Sequence, residues 1–341
     1  MIVDRYYYNQ LNKVEKVIYK AFYKGVMEHK DIIPIPVKGN LPQEVFSKIF
    51  DSLTRDNPLI YFLNQSTCKF AQDSMGHIAI IPQYFFPQDK IKDYNRKIER
   101  AVNQLANQLK LTEGNDYDKA LKIHDWICQN VSYDKKGHDI NDPARVVMAH
   151  NIIGVFAQRS AQCEGIAKAV KVLLNAVDVK CIVATGIATG KRESGPHAWN
   201  IVNLDGTAYH MDVTWDIGAR QSGTGKIAYD YFNISDELII KSHKADSKLP
   251  ECKSMKLNYF TKNKTSFSSK TVLLAYVTKM VSTGQKELYF RLEGKLMKSN
   301  VVDDIINTAS NTLIQLGRKP LSVQKIPNEA IGTYWLRINS Q

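Results

Sequence analysis

The sequence predicts a mixed α+β fold in which a thiol-bearing helix packs on an antiparallel hairpin, with a smaller α+β region on each side. Three observations lead there. Apolar residues after Cys163 recur at three- and four-residue steps; two alternating runs meet at Asp205-Gly206; helix-period and strand-period segments interleave before and after them. At 341 residues and 44% hydrophobic composition, the chain can bury a sizeable core in two or three compact units.

Taken in order, Asn12 with Glu15 three residues on is a capping-box-like start, and Val14, Val17, Ile18, Ala21, Phe22 and Val26 form one helical stripe. Pro34, Pro36 and Gly39 are expected to break this helix. Segments 59–63 and 77–84 read as strands, with a turn at Asp73, Ser74 and Gly76 between them. Tyr6, Tyr7 and Tyr8 could line a groove or pack at a domain edge. Helices are expected over about 90–110 and about 116–130, the second carrying His124. No second histidine or carboxylate pair has metal spacing with His124, so it reads as a packing or supporting residue. This gives an N-terminal α+β region over 1–95 and a core over 96–245. Lys241 to Lys264, polar, lysine-rich and containing Pro250, reads as a linker into a basic α+β module over 250–341. Its expected elements are a helix at 269–282, a strand at 287–293, a helix at 300–316 and strands at 321–326 and 331–338.

Chemistry concentrates in the core. After Cys163, the residues Ile166, Ala169, Val170, Leu173, Leu174 and Val177 make one buried helical face. With Ser160 as N-cap, Cys163 lies in the first turn, where free backbone N–H groups and the positive end of the helix dipole favour thiolate. Gly165 in such a helix indicates a close approach by another backbone or a substrate. Downstream, a two-residue Asp205-Gly206 loop makes paired positions sum to 411, so that Trp199 lies opposite Asp212 and His197 opposite Thr214. His197 and Asp212 are then diagonal neighbours on one face, with backbones roughly 7–8 Å apart. The other face carries Ala198, Val202, Leu204, Tyr209, Met211, Val213 and Trp215. His210 shares the His197 face, and spacing leaves it open as an alternative base. Each residue has a bland alternative: a small buried thiol, a hydrogen-bonded structural histidine, a capping aspartate. Together, a nucleophile, a base and an orienting carboxylate are what a thiol acyl-transfer enzyme needs.

These three sites resemble the transglutaminase-like superfamily, as do Ala120-Leu121-Lys122-Ile123-His124-Asp125-Trp126-Ile127 and Asn130-Val131-Ser132-Tyr133-Asp134 upstream, and the segment from Asp230 to Glu237 downstream. The resemblance covers about 96–245, and its upstream helix and turn are similar to those that precede the nucleophile in bacterial members. It implies a papain-like, transglutaminase-like core with the nucleophile at a helix N-terminus packed on an antiparallel sheet. Cys163 would be the nucleophile, His197 the general base and acid, and Asp212 the group that fixes the imidazole. The implied reaction is hydrolysis of a peptide or amide bond in a peptide or protein substrate through a thioester. Protein-glutamine cross-linking to amines and a non-catalytic scaffold are the alternatives. Animal cross-linking enzymes carry tryptophan directly after the nucleophile, whereas Glu164 stands here and no dense carboxylate loop is present. Neither calcium nor any other metal or cofactor is therefore expected. The oxyanion hole would combine the Cys163 N–H with Gln158 or Gln162, and Trp199 and Trp215 would frame the cleft or its floor.

Charge is unevenly distributed. Residues 241–341 carry 17 Lys+Arg against 7 Asp+Glu, a net of +10, whereas residues 1–240 carry 29 against 27. This basic third could meet a polyanion such as nucleic acid, anionic lipid or wall polymer, or serve as a solvated face. There is no run of eighteen apolar residues, so no transmembrane segment is predicted. Met1-Ile2-Val3-Asp4-Arg5-Tyr6 lacks the apolar region of a signal peptide, which leads to an expectation of a cytoplasmic protein, or a secreted or cell-surface one if a leader has been removed. Cys68, Cys128, Cys181 and Cys252 show neither zinc-ligand nor CxxC spacing and read as buried thiols, with one bridge left open.

Overall fold

The computed structural model describes residues 4–190, 194–219, 225–298 and 300–340. The chain divides into two compact units, Met1–Ala228 with Lys244–Glu251, and Tyr229–His243 with Cys252–Gln341.

The first unit opens with α1 (Tyr6–Gln10), α2 (Lys13–Met27), β1 (Ile33–Lys38), α3 (Gln43–Asp56), β2 (Lys69–Gln72) and β3 (His77–Ile81). Asn12 caps α2 as its sequence indicates: its side chain accepts the Glu15 N–H at 2.9 Å and the Glu15 carboxylate accepts the Asn12 N–H at 2.8 Å. Such a cap stabilises a helix by about 1 kcal/mol. Ile18, Phe22 and Val26 form the buried stripe, while Val14 and Val17 face solvent. Helix α2 ends at Met27, ahead of Pro34 and Pro36, as expected. The two prolines occupy the exposed positions of β1, an edge strand in the order β1-β3-β2, and Ile33 and Ile35 alternate with them on the buried face. An edge strand tolerates the missing N–H. The expected strand at 59–63 is absent: Ile60 to Leu63 are buried as packing residues, and β2 pairs with β3 across the turn at Asp73 to Gly76 instead. Helix α3 was not anticipated, although Phe46, Ile49, Phe50 and Leu53 recur at helical spacing and are all buried.

There follow α4 (Gln88–Gln108), α5 (Asp116–Asn130), β4 (Ser132–Tyr133), α6 (Pro143–Ala149), a π-helical turn (Gly154–Gln158), β5 (Ser160–Ala161), α7 (Cys163–Ala176), β6 (Cys181–Thr189), β7 (Ser194–Leu204), β8 (Thr207–Met211) and α8 (Val213–Ala219). Strands β6, β7 and β8 form consecutive antiparallel pairs. The Asp205-Gly206 turn has φ of 50° and 81°, the left-handed pair a two-residue hairpin loop needs. It sets the expected register, from Leu204 opposite Thr207 to Asn200 opposite Met211. Helix α7 packs on β6 and β7, with Cys163, Ala167, Val183 and Ala198 in one buried apolar cluster. The Asn200 side chain donates to the Ala167 carbonyl at 2.9 Å, tying strand to helix.

The second unit holds β9 (Phe232–Ile234) and α9 (Asp236–Ile239). The chain then passes through β10 (His243–Ala245), whose last two residues belong to the first unit. Beyond it lie α10 (Tyr259–Lys262), β11 (Ser266–Phe267), α11 (Lys270–Ser282), β12 (Glu287–Leu292), α12 (Val301–Gln315), β13 (Pro320–Asn328) and β14 (Thr333–Ser340). These match the helices and strands expected after residue 269 to within about two residues. The sheet order is β11-β12-β14-β13, and Leu273, Val277, Phe290, Ile305 and Leu336 are fully buried in its core. The stretch read as a linker is packed. Cys252, Asn258 and Phe260 are each 0% exposed, and Phe260 meets Tyr289 edge-on at 4.8 Å, so the lysines around them mask a buried face. Among the described residues, no helix is long and apolar enough to cross a membrane.

Candidate active site

The chain enters α7 through a clamp rather than through a serine cap. Ser160 lies in β5, paired with Ser132 of β4, and Gln162 takes the cap position in an extended conformation. Gln162 is 0% exposed, and its backbone N–H and both side-chain polar atoms are committed. Its backbone N–H donates to the Ala149 carbonyl at 2.8 Å, its side-chain oxygen accepts from the Tyr133 hydroxyl at 2.8 Å, and its side-chain nitrogen donates to the Asp134 carbonyl. Cys163 is therefore the first residue of α7, 8% exposed, with the free N–H groups of the helix start beside it. The helix can sit so low because position 165 is glycine. A Cβ there would come within 2.5 Å of the Ala149 carbonyl oxygen and 2.7 Å of that of Asn151. The close approach expected at Gly165 is thus made by the backbone of 149–151.

His197 projects from β7 on the same strand face as Trp199, and the two rings stack at 6.3 Å with 14° between their planes. Trp215 lies at 5.9 Å on a tilted plane. Trp199 is 2% exposed and its indole N–H donates to His210 Nδ1 at 3.1 Å, so it backs the imidazole from within the core. Half-buried Trp215 is the more accessible of the two. His210 is buried behind Trp199, whereas His197 is the histidine that meets Asp212.

Asp212 reaches His197 by a route the hairpin arithmetic did not foresee. Strand β8 ends at Met211, and Val213 and Trp215, expected on the strand, belong to α8. Asp212 caps that helix: one carboxylate oxygen accepts the Trp215 N–H at 3.1 Å and the other lies 2.7 Å from His197 Nε2. The capping aspartate and the histidine's partner are one residue, each oxygen with its own task. Asp212 is 1% exposed and the His197 side chain 8%. Burial alone would lower the imidazole pKa. The Asp212 carboxylate outweighs it and, with a further contribution from Cys163, holds the group up at about 10.

Glu164, next to the thiol, is held by Lys168 at 2.6 Å and His150 at 3.4 Å. Its burial opposes ionisation, but these two neighbours take the carboxyl down to about 2. Gln158, at the end of the π-helical turn, is exposed. Two residues to which no site role was assigned from sequence also shape the site. Tyr133 belongs to the clamp on Gln162, and Asp216, one turn beyond Asp212, is fully buried against His124. The four-residue spacing of Asp212 and Asp216 was the available signal, hidden while the run from Asp212 to Trp215 was read as strand.

Residues 103–213 match the family profile of the transglutaminase-like superfamily. The chain carries a transglutaminase-like core. It is 26% identical over 163 residues to the mouse (Mus musculus) kyphoscoliosis peptidase, covering 44% of this chain and 24% of that protein. The human (Homo sapiens) kyphoscoliosis peptidase is 26% identical over 159 residues, covering 43% and 23%. The match thus spans about a quarter of the length of these curated relatives. A crystal structure of a TGase aligns with a TM-score of 0.30 at 13% identity, over 54% of this chain and 51% of its own. The transglutaminase-like core has a mixed α+β architecture, with the buried Cys163 opening a helix packed on antiparallel strands.

Proposed function

We propose that the transglutaminase-like core is a cysteine-dependent hydrolase of a peptide or amide bond, acting through a thioester with Cys163, His197 and Asp212. The observation that carries this reading is the 2.7 Å contact between His197 Nε2 and Asp212, in a group whose pKa is held up at about 10. With Nε2 taken by Asp212, Nδ1 is the ring nitrogen that serves the thiol. An imidazolium beside a thiol at a helix start is the charge arrangement that produces a nucleophilic thiolate. The names of the mouse and human relatives, both peptidases, support the reaction class.

In this reading the Cys163 thiolate adds to the substrate carbonyl carbon and the carbonyl π electrons move onto oxygen. Because the Gln162 carboxamide is committed to Tyr133 and Asp134, and Gln158 is exposed, the Cys163 N–H at the start of α7 is the donor best suited to that oxyanion. The intermediate collapses as the C–N bond breaks and His197 gives its proton to the departing amine, leaving a thioester. His197, now neutral, takes a proton from water as the oxygen attacks. The C–S bond then breaks, releasing the acid and restoring the ion pair. Asp212 keeps the imidazole oriented throughout.

Intact-mass analysis with amide substrates, in water and with an added primary amine, tests the proposal. An adduct confined to Cys163 that decays to acid in water supports hydrolysis. Preferential capture by the amine would point to cross-linking, and the absence of any adduct or turnover to a scaffold that retains the fold.

A further inference from the structure

Helix α8 carries two aspartates a turn apart, and each meets a histidine. The second meeting is fully buried: His124 Nε2 lies 3.0 Å from an Asp216 carboxylate oxygen, with both side chains 0% exposed. On its other side, His124 Nδ1 lies 3.1 Å from the Asp125 carboxylate, and the Cys128 sulfur is 3.7 Å from Nε2. Asp125 and Cys128 from its own helix and Asp216 from α8 are thus among the groups that face His124. The three neighbours raise its pKa well above the usual value against complete burial. A desolvated ion pair of this kind costs about as much as it returns, and apolar residues of similar volume would stabilise the fold as well or better. What it supplies is a fixed, directional attachment.

We propose that the His124–Asp216 pair is a positioning device for Asp212, one that holds α8 so that its capping aspartate meets His197. Helix α8 spans only Val213–Ala219, too short to hold its own place. Its first turn is tied to Asp212 through the Asp216 N–H, 3.3 Å from the Asp212 carbonyl, and through the Trp215 N–H on the Asp212 side chain. Asp216 then anchors the same turn to α5. That helix packs against both α7, which starts at Cys163, and α8. One rigid 15-residue helix is therefore the common base for the thiol's helix and the carboxylate's helix. His124 and Asp216 are positioning residues: they act through Asp212.

The inference rests on the proposed roles of Cys163, His197 and Asp212, and the test separates the two. The readout is the pH profile of Cys163 alkylation by iodoacetamide in the full chain, followed by peptide mass mapping. Folding is checked by circular dichroism and Tm. Wild-type protein should alkylate at Cys163 near pH 6. Asp216→Asn and His124→Gln should each lower that rate by about 10–100-fold, as small misplacements in a catalytic constellation do, and move the rise of the profile to higher pH. Ile49→Ala on α3, which opens a cavity at another buried position, should lower Tm and leave the profile in place. If a single variant does not fold, the double variant, with two amides and no buried charge, is read in the same way. A wild-type profile in the folded variants overturns the positioning role and leaves the function reading intact. Failure of all three to fold overturns it as well, showing a pair that holds the whole unit. Wild-type protein without preferential Cys163 alkylation would sink the function reading itself.

Discussion

The first unit brings the same three residue types together twice, and the proposed chemistry uses only one of the two sets. Cys163, His197 and Asp212 lie where a helix start meets a hairpin, with the thiol and the imidazole each 8% exposed. Cys128, His124 and Asp216 lie within α5 and against α8, all 0% exposed. Cys128 follows His124 by four residues in the last turn of α5, where backbone N–H groups are already used, and burial pushes its thiol pKa up despite the histidine. Cys163 opens its helix, where they are free. In the proposed reading, what separates the two sets is that one thiol stands at a helix start within reach of a reactant and the other does not. The same groups without access become an anchor.

The sharpest way to break that comparison is to exchange the thiols' fates. Cys163→Ala should abolish turnover, whereas Cys128→Ala, loss of one buried sulfur, should cost some stability and leave the rate per folded molecule within a factor of about two. Labelling should follow the same divide. Burial pushes the thiols of Cys68, Cys181 and Cys252 up to about 12 and raises that of Cys128, so iodoacetamide near pH 6 should modify Cys163 first. Faster labelling of Cys68 or Cys252 in folded protein would remove Cys163 as the nucleophile.

Next in size is the carboxylate. Asp212→Asn keeps an oxygen for the Trp215 N–H and so preserves the cap, but withdraws the charge from His197. The rate should fall by about 10²–10⁴ with the fold intact, as in triads that lose their orienting aspartate. His210→Ala should cost far less than His197→Ala, because His210 is engaged by the Trp199 indole. Equal or reversed losses at comparable folding would show that the other histidine is the base.

How much of this could be read beforehand depended on how local each signal was. The Asn12–Glu15 cap, the Asp205-Gly206 register and the elements after residue 269 are set by near neighbours, and their sequence signals agree with the structure. The places of Cys163 at a helix start and of His197 on a strand were readable for the same reason, since both follow from short patterns. Asp212 was assigned to its partner through the wrong element. Val213-Thr214-Trp215 alternates like a strand, and only the Asp212 cap, with Asp216 held by His124, turns it into a helix. The packed run 60–63 and the buried 252–260 segment owe their structure to distant residues, Asn95 on Tyr61 and Tyr289 on Phe260, which no local pattern announces.

A smaller effect separates the two imidazoles by pH. Both have folded-state pKa values above the ordinary 6.5, His197 at about 10 and His124 well above that ordinary value. Each binds its proton more tightly in the folded chain, so its contribution to stability is fully present below about pH 6.5 and is lost as pH rises through its folded pKa. Urea midpoints should therefore fall between pH 6.5 and 10. Asp212→Asn should remove the His197 part and Asp216→Asn much of the His124 part. A midpoint unchanged over this range in wild-type protein would deny both pairs their charge.

The smallest expected effect concerns the second unit, where most of the net charge resides. Lys262, Lys264, Lys279, Lys286, Lys319 and Lys325 are exposed there. If the basic third recruits a polyanion, the intact chain should bind nucleic acid, anionic vesicles or anionic wall polymer at low salt and lose that binding as salt rises, because screening and counterion release act on exposed charge. Replacing Lys279, Lys286, Lys319 and Lys325 with glutamine should weaken binding and flatten its salt dependence. Turnover of a small amide substrate should not change, since none of the four belongs to the unit that holds Cys163 and His197. Absence of binding to all three polyanions at low salt, or binding indifferent to salt, would return these lysines to the role of a solvated face. The contrast between the units would then be one of solubility rather than recruitment.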